Sequence, residues 1–251
     1  MSDGDVPGYG PATFGDRWAE AYDAWTELRL PGEAEPTVEF LASVAGDGPV
    51  LELAIGTGRI ALPLRERGLD VRGIDASEAM VGKLREKPGG EDIPVTIGDF
   101  ADVGVEGPFG LIFVVFNTFW ALLTQEDQVR CMGNVASRLG GDGVFVVEAF
   151  VPDPGRFDRG QRIAASYVDA DSAAFEISRV DHVHQRVDSQ HVVLTPEGPR
   201  MYPVQIRWVW PSELDLMARL AGLRLRERWG GWRREPYTGE GRHVSVYELE
   251  G

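Results

Sequence analysis

A chain of 251 residues is long enough for one large α/β domain with an insertion and a substantial core. Its net charge of −15 argues against nucleic acid as a substrate, because phosphate binding needs clustered Lys and Arg. The lone cysteine, Cys131, excludes an internal disulfide and reads as a packed core thiol among helical neighbours. No apolar stretch is long enough to span a membrane, and the acidic, glycine-rich N-terminus is the opposite of a signal peptide, so a cytoplasmic protein is expected.

Residues 1–13 show no periodic pattern and are expected to be loosely attached. Helical patterns cover 14–25, where Trp18, Tyr22 and Trp25 recur near helical spacing, and 35–45. Alternating units follow: strand 49–54, helix 58–67 closed by Gly68, strand 70–74, helix 77–86 and strand 94–98. The wholly apolar run 111–116 reads as a central parallel strand. Helix 124–139 ends at Gly140-Gly141, and 144–149 is the next strand. The alternation predicts a doubly wound, Rossmann-like parallel sheet with helices on both faces and its ligand at the strands' carboxyl ends.

After Pro152 the pattern changes to short strands at 165–167, 174–181, 182–186, 189–194 and 201–209, with polar turns at 186–189 and 195–198. Period-two alternation runs through 180–185, and the whole reads as an antiparallel β-meander insertion. A helix from Pro211 to Ala221, N-capped by Ser212 and ended by Gly222, leads to strands 223–229 and 243–249, which return to the sheet as an antiparallel hairpin. The basic run 224–234, interleaved with Glu227 and Trp229, reads as a solvated strand face.

The residues 50–61 carry the chemistry. They read as a buried strand, a turn that glycines Gly56 and Gly58 allow, and a helix. Asp75 and Asp99 then end the next two strands, so Glu52, Asp75 and Asp99 stand at intervals of 23 and 24 residues. A pyrophosphate-binding turn of the G-x-G-x-x-G type would need glycines at 54, 56 and 59, where the chain has Ala54, Gly56 and Arg59. The register present is Glu52-x-Ala54-x-Gly56-x-Gly58. It resembles that of the class I S-adenosylmethionine (SAM) dependent methyltransferases, with Ala54 departing from the family's first glycine.

The resemblance covers roughly 14–150 and 211–250. It implies a seven-stranded sheet in which Asp75 takes the ribose hydroxyls of SAM and Asp99 the adenine amino group, with Phe100 beside the ring. Glu52, Ala54, Gly56 and Gly58 would form the turn beneath the methionine half. Ala76, Met80, Phe116 and Asn117 would complete the cofactor wall. The other reading of Asp75 and Asp99 is that they cap the following helices, as in 75–78. Three parts are expected: a helical lid at 1–45, the SAM-binding unit at 46–152 and 211–251, and the meander at 153–210.

Methyl transfer from a sulfonium is an in-line displacement, for which positioning supplies about 7–11 kcal/mol. A nucleophile that must lose a proton needs a base, most simply His, Asp or Glu. After the fourth strand the chain reads Phe116-Asn-Thr-Phe-Trp120 and lacks the Asn/Asp-Pro-Pro-Tyr/Phe tetrapeptide of methyltransferases acting on nucleic-acid bases. Trp120 is expected either to floor the substrate pocket or to pack in the core. Glu148, a carboxylate in an apolar strand, needs a site role or a hydrogen-bonded structural one. The Tyr22-Asp23 pair resembles one in many relatives whose tyrosine closes over the cofactor, while Trp18 and Trp25 read better as an aromatic core stripe.

His182 and His184, two apart on an expected strand, share a face and are either candidate bases or part of a polar outer face. No carboxylate or cysteine stands at ligand spacing to make them a metal site. His191 and His243 carry no comparable context. Arg207 is expected at the cover as a substrate contact. A weaker resemblance links the meander to small-molecule methyltransferases of antibiotic biosynthesis, notably those acting on deoxyamino sugars, in which the meander covers the acceptor and helps to form homodimers or higher oligomers.

Together these readings describe a SAM-dependent methyltransferase acting on a nitrogen or oxygen of a small molecule in secondary metabolism. The alternatives are an NAD-dependent oxidoreductase of the same fold, disfavoured by the glycine register and Asp99, and a non-catalytic SAM-binding regulator.

Overall fold

A computed structural model describes residues 8–29 and 31–251, whose backbone forms two separate sheets. Helices α1 (Thr13–Trp18), α2 (Tyr22–Arg29) and α3 (Ala34–Val44) come first. Alternating units follow: β1 (Val50–Leu53), α4 (Ala61–Glu66), β2 (Val71–Asp75), α5 (Glu78–Arg85), β3 (Val95–Ile97), β4 (Phe109–Val114), α6 (Gln125–Ala136) and β5 (Leu139–Phe150). Four strands, β6 (Gln161–Val168), β7 (Ala173–Asp181), β8 (Arg186–Thr195) and β9 (Gly198–Arg207), form the inserted meander. The chain ends with α7 (Pro211–Leu220), β10 (Leu223–Trp229) and β11 (Arg242–Leu249).

The larger sheet has the order β10-β11-β5-β4-β1-β2-β3, parallel from β5 to β3 and antiparallel at the closing hairpin. All of β4 is buried, and its side chains alternate between the two faces. Ile112 and Val114 join Leu51 and Leu53 against α6 and α7, while Leu111 and Phe113 join Val50 on the opposite side with α3 and α4. Each such side chain contributes about 1.5–3 kcal/mol by leaving water. From β1 the chain winds toward β3; it then crosses to β4 and winds the other way. The loops after β1 and β4 therefore diverge and open a crevice at the carboxyl ends.

Elsewhere the structure departs from the sequence reading. The expected helix 14–25 is two helices, broken between Trp18 and Tyr22, with the Trp18 and Trp25 rings 5.0 Å apart across the break. Residues 1–7 lie outside the described residues. Residues 8–12 are attached, because the Tyr9 hydroxyl accepts a hydrogen bond from Gln205 N of β9 at 3.2 Å.

The meander has four strands rather than five. Asp181 Oδ1 accepts from the backbone of Val183 at 2.9 Å and of His184 at 3.1 Å, and Gln185 follows with φ of 57°. This Asx turn reverses the chain where alternation predicted a strand, and 186–189 belongs to β8 instead. The N-cap of α7 is Trp210 rather than Ser212, because Pro211 occupies the first turn, where its missing N–H costs nothing. Cys131 is buried in α6, its Sγ 3.6 Å from the Phe100 carbonyl. In the basic run Arg224 and Arg226 are exposed, but Arg228 turns inward to Asp215 at 2.6 Å. Among the described residues, no helix is long and apolar enough to cross a membrane.

Candidate active site

A cavity of about 520 Å³ lies at the crevice, bounded by the loops after β1, β2 and β4, by α1 and α2, and by one face of the meander. That volume falls within the range of small-molecule sites, roughly 300–1,000 Å³.

One end is built on backbone. The chain leaves β1 with Ala54 at φ of 56°, Gly56 at 57° and Gly58 at 79°. A residue with a Cβ pays about 1–2 kcal/mol for that left-handed conformation, which Ala54 bears. A Cβ on Gly56 would meet no atom within 4 Å, so this part of the turn faces open space where a ligand can approach the backbone. Gly58 has a different task. A Cβ there would sit 2.3 Å from Leu84 Cδ1, so Gly58 packs the turn against α5 and does not line the cavity.

Asp75 ends β2 with Oδ2 accepting from Gly56 N at 2.7 Å and Oδ1 from Ser77 N at 2.8 Å. The cap of α5 is Ser77, which accepts from Met80 N at 3.2 Å. Each Asp75 oxygen keeps a further lone pair, and the carboxylate borders the cavity. Burial raises its pKa, opposed by the hydrogen bonds from Ser77 and Gly56. Asp99 Oδ1 accepts from Ala101 N at 2.9 Å, and Asp99, Phe100, Ala76 and Met80 line the same end.

Glu52 lies under the turn rather than in the cavity wall. Burial pushes its carboxyl well above the ordinary range, with Arg59 and the Ala61 N–H acting against the shift. Its buried Oε2 has no hydrogen-bond partner among the described residues. Open space over Gly56, two cavity-facing carboxylates and an unpartnered acid beneath fit a cationic nucleoside with a diol and an amine, which is what SAM presents.

Phe116 and Asn117 follow β4, both left-handed at φ of 62° and 61°. Glu148 holds them there. Its carboxylate accepts from Phe116 N, its carbonyl accepts from Asn117 N at 3.2 Å, and Asn117 Oδ1 accepts from Phe150 N at 2.6 Å. Glu148 therefore supports the rim and faces a second cavity of about 330 Å³, beside Arg59 and Arg242, rather than the main one. Tyr22 lines the main cavity, and its oxygen accepts from Arg59; burial pushes its phenol up to about 12. Its neighbour Asp23 fastens α2 to the turn through Thr57 Oγ1 at 2.6 Å and Lys87 Nζ at 2.6 Å.

Trp120 takes the core alternative and not the pocket floor, and two expectations for the acceptor end, Arg207 and the His182–His184 pair, are corrected. Trp120 is fully buried in the core beside Phe119 and Phe150, because its loop turns it under the sheet's end. Arg207 is buried and lies outside the cavity wall. It donates to Glu213 at 2.9 Å and to Gln185 at 3.0 Å, which ties β9 to α7. His182 and His184 sit on the exposed turn after β7, away from the cavity, with His184 Nδ1 2.6 Å from Asp181 Oδ2. Trp18 and Trp25 form the expected aromatic core cluster with Phe14 and Tyr22, and both also line the cavity.

The sequence reading missed Glu176 and His191, which face the cavity from opposed positions on β7 and β8. A signal existed. Val187, Ser189 and His191 alternate along β8, and that register places a histidine on the covered face. It was obscured by splitting the strand at 186–189. Among the described residues no cluster of His, Cys, Asp and Glu is placed to hold a metal.

Known proteins match this architecture. A methyltransferase-domain family model matches residues 50–143, which contain the turn and both cavity acids. The CcbJ methyltransferase from Streptomyces caelestis is 35% identical with a TM-score of 0.91, over 97% of this chain and 100% of that one. The cypemycin N-terminal methyltransferase of a Streptomyces species is 28% identical over 244 residues, 94% of this chain and 97% of the relative. A SAM-bound amino pentose methyltransferase from Micromonospora echinaspora shares the fold at 20% identity and a TM-score of 0.67, over 90% of this chain and 95% of that one. An end-to-end relative at 35% identity, with a methyltransferase domain centred on the loop and acids that wall the cavity, places the chain in the class I SAM-dependent methyltransferases, with SAM as its methyl donor.

Proposed function

We propose that the enzyme methylates an amine nitrogen of a small molecule of secondary metabolism, in the cytoplasm. The observation that carries this reading is the acceptor end of the cavity. It is roofed by the meander and holds a carboxylate, Glu176, and an imidazole, His191, among aromatic walls. Carboxylates favour a cationic amine over a neutral hydroxyl, and the enclosed volume suits a small acceptor. The names of the relatives support nitrogen as the nucleophile: one is an N-terminal methyltransferase and one a sugar N-methyltransferase. The end-to-end likeness to the cypemycin enzyme also favours a peptide amino terminus as an acceptor of the same chemistry.

SAM supplies an electrophilic methyl group on a cationic sulfur. In this reading Asp75 holds the ribose diol, Asp99 the adenine amine, and the Ala54–Gly58 turn the methionine half over Glu52. Tyr22, Phe116 and Asn117 border the place where donor and acceptor meet. The α1–α2 helices act as a lid, latched by Asp23 to Thr57 and by Asp16 to Ser77 at 2.7 Å. Ile163, Val168, Ile177 and Met201 are exposed on the meander and serve as a self-association surface for a homodimer or larger assembly.

The test is turnover of methyl-labelled SAM against amines and phenols of matched shape. Label on amines is expected. Label confined to phenols would overturn the nitrogen assignment.

A further inference from the structure

Glu176 and His191 are cross-strand partners on β7 and β8, with His191 Nε2 3.6 Å from Glu176 Oε2. That distance is too long for a direct hydrogen bond, yet one nitrogen between the two atoms can reach both at ordinary hydrogen-bond distances of about 2.7–3.2 Å. The contrast with His184 is instructive, because its Nδ1 meets Asp181 directly at 2.6 Å. Glu176 is also oriented. Its Oε1 accepts from the Ser178 hydroxyl and lies 3.8 Å from Arg162 on β6, which leaves Oε2 turned to the imidazole.

The imidazole is fixed by aromatic edges. Its ring lies 5.4 Å from Trp18 at 76° and 6.3 Å from Trp25 at 79°. Trp25 in turn lies 5.9 Å from Phe116, the residue at the exit of β4 on the cofactor side. Trp25 therefore borders both the histidine and the rim of the cofactor half, and all three line one cavity. Titratable neighbours of His191 include Glu176 from β7, with Arg162 of β6 behind it, and Tyr202 opposite it on β9, while Trp18 of α1 and Trp25 of α2 meet its ring.

We infer that Glu176 Oε2 and His191 Nε2 form a two-point seat for the acceptor's ammonium group, with His191 receiving its proton. This rests on the amine reading above. An N–H bond of the ammonium breaks, its proton passes to Nε2, and the electron pair stays on nitrogen. That pair forms the new N–CH3 bond as the methyl–sulfur bond breaks, its electrons remaining on the sulfur of SAM, which leaves as a neutral thioether. Glu176 stabilises the ammonium before the transfer and the imidazolium after it. A general base of this kind is worth about 10²–10⁴-fold in rate.

The experiment has two arms. With S-adenosylhomocysteine bound, imidazole ¹⁵N signals are recorded while cyclohexylamine, or cyclohexanol as its neutral isostere, is added. The His191 signal, assigned with His191→Asn, is expected to shift with the amine and not the alcohol, and the shift is expected to vanish in Glu176→Gln. An amine that leaves His191 unmoved, or an alcohol that moves it equally, would overturn the seat. In turnover with the best amine acceptor, His191→Asn is expected to lower kcat by about 10²-fold or more and to remove the acid limb of the pH profile. Glu176→Gln is expected mainly to raise KM, with rescue in Glu176→Asp. Unchanged S-adenosylhomocysteine affinity shows that each variant is folded. If amines accept methyl and His191→Asn retains full kcat and its acid limb, the seat is wrong while the amine reading stands. If only phenols accept methyl, both fall.

Discussion

In the proposed reading, the cofactor wall and the acceptor wall of the cavity are held by different parts of the chain. On the cofactor side main-chain groups set the geometry: Asp75 is gripped by the N–H groups of Gly56 and Ser77, and Phe116 and Asn117 are pinned by Glu148. On the acceptor side, side chains of a separate four-stranded sheet reach across to Trp18 and Trp25, and Tyr9 is tied to β9 by one hydrogen bond. A wall made of backbone constrains residue type at fixed spacings, because only certain residues tolerate the conformation. A wall made of side chains can change its chemistry by substitution at any inward position. The first suits a donor shared by a family and the second suits an acceptor that differs among its members.

This contrast can be broken first where the cofactor wall is least tolerant. Gly58→Val would drive a branched side chain into Leu84 from a left-handed backbone. It is expected to cost about 3 kcal/mol of stability, combining overpacking with backbone strain. Denaturant unfolding measures this, and a loss below about 1 kcal/mol would show that the turn has slack.

The buried acid beneath the turn gives a pH-dependent effect of intermediate size. The folded pKa of Glu52 is raised above its ordinary 4.5, so the folded state binds the extra proton and the wild type gains stability as pH falls through the raised value toward 4.5. Glu52→Gln lacks that gain. The advantage of the variant over the wild type is therefore expected to shrink steadily as the pH is lowered from about 8 to about 5. Asp75 and Glu148 shift in the same direction but are present in both proteins and cancel. A difference independent of pH would mean that Glu52 titrates normally.

The smallest effect is a gain. Ala54→Gly removes the left-handed strain at φ of 56° at the cost of a freer unfolded chain, for a net stabilisation of about 0.5–1 kcal/mol in thermal unfolding. A loss would mean that the alanine methyl packs better than its backbone suffers.

The same difference explains what could be read without the structure. The seven-stranded sheet, the glycine turn and the acids at 75 and 99 were legible because backbone constraints leave residue types at fixed intervals. Glu52 and Gly58 were found, but their tasks beneath the turn were not, since spacing does not show which way a side chain points. The meander was legible as a meander. Its register was not, because an Asx turn at Asp181 and a polar strand start at Arg186 look alike in composition. One misplaced strand boundary sent attention to His182 and His184 and away from His191. Trp120 was left between core and pocket, and Arg207 was misplaced, because packing of the loop after β4 and of β9 against α7 depends on contacts distant in sequence.

The central claim is that the two walls act separately, and calorimetric titration with S-adenosylhomocysteine of the wild type, Asp75→Ala and His191→Asn tests it most directly. Asp75→Ala is expected to weaken binding by about 10–100-fold, and His191→Asn to leave it within about twofold. Unchanged affinity in Asp75→Ala, or a comparable loss in His191→Asn, would contradict it.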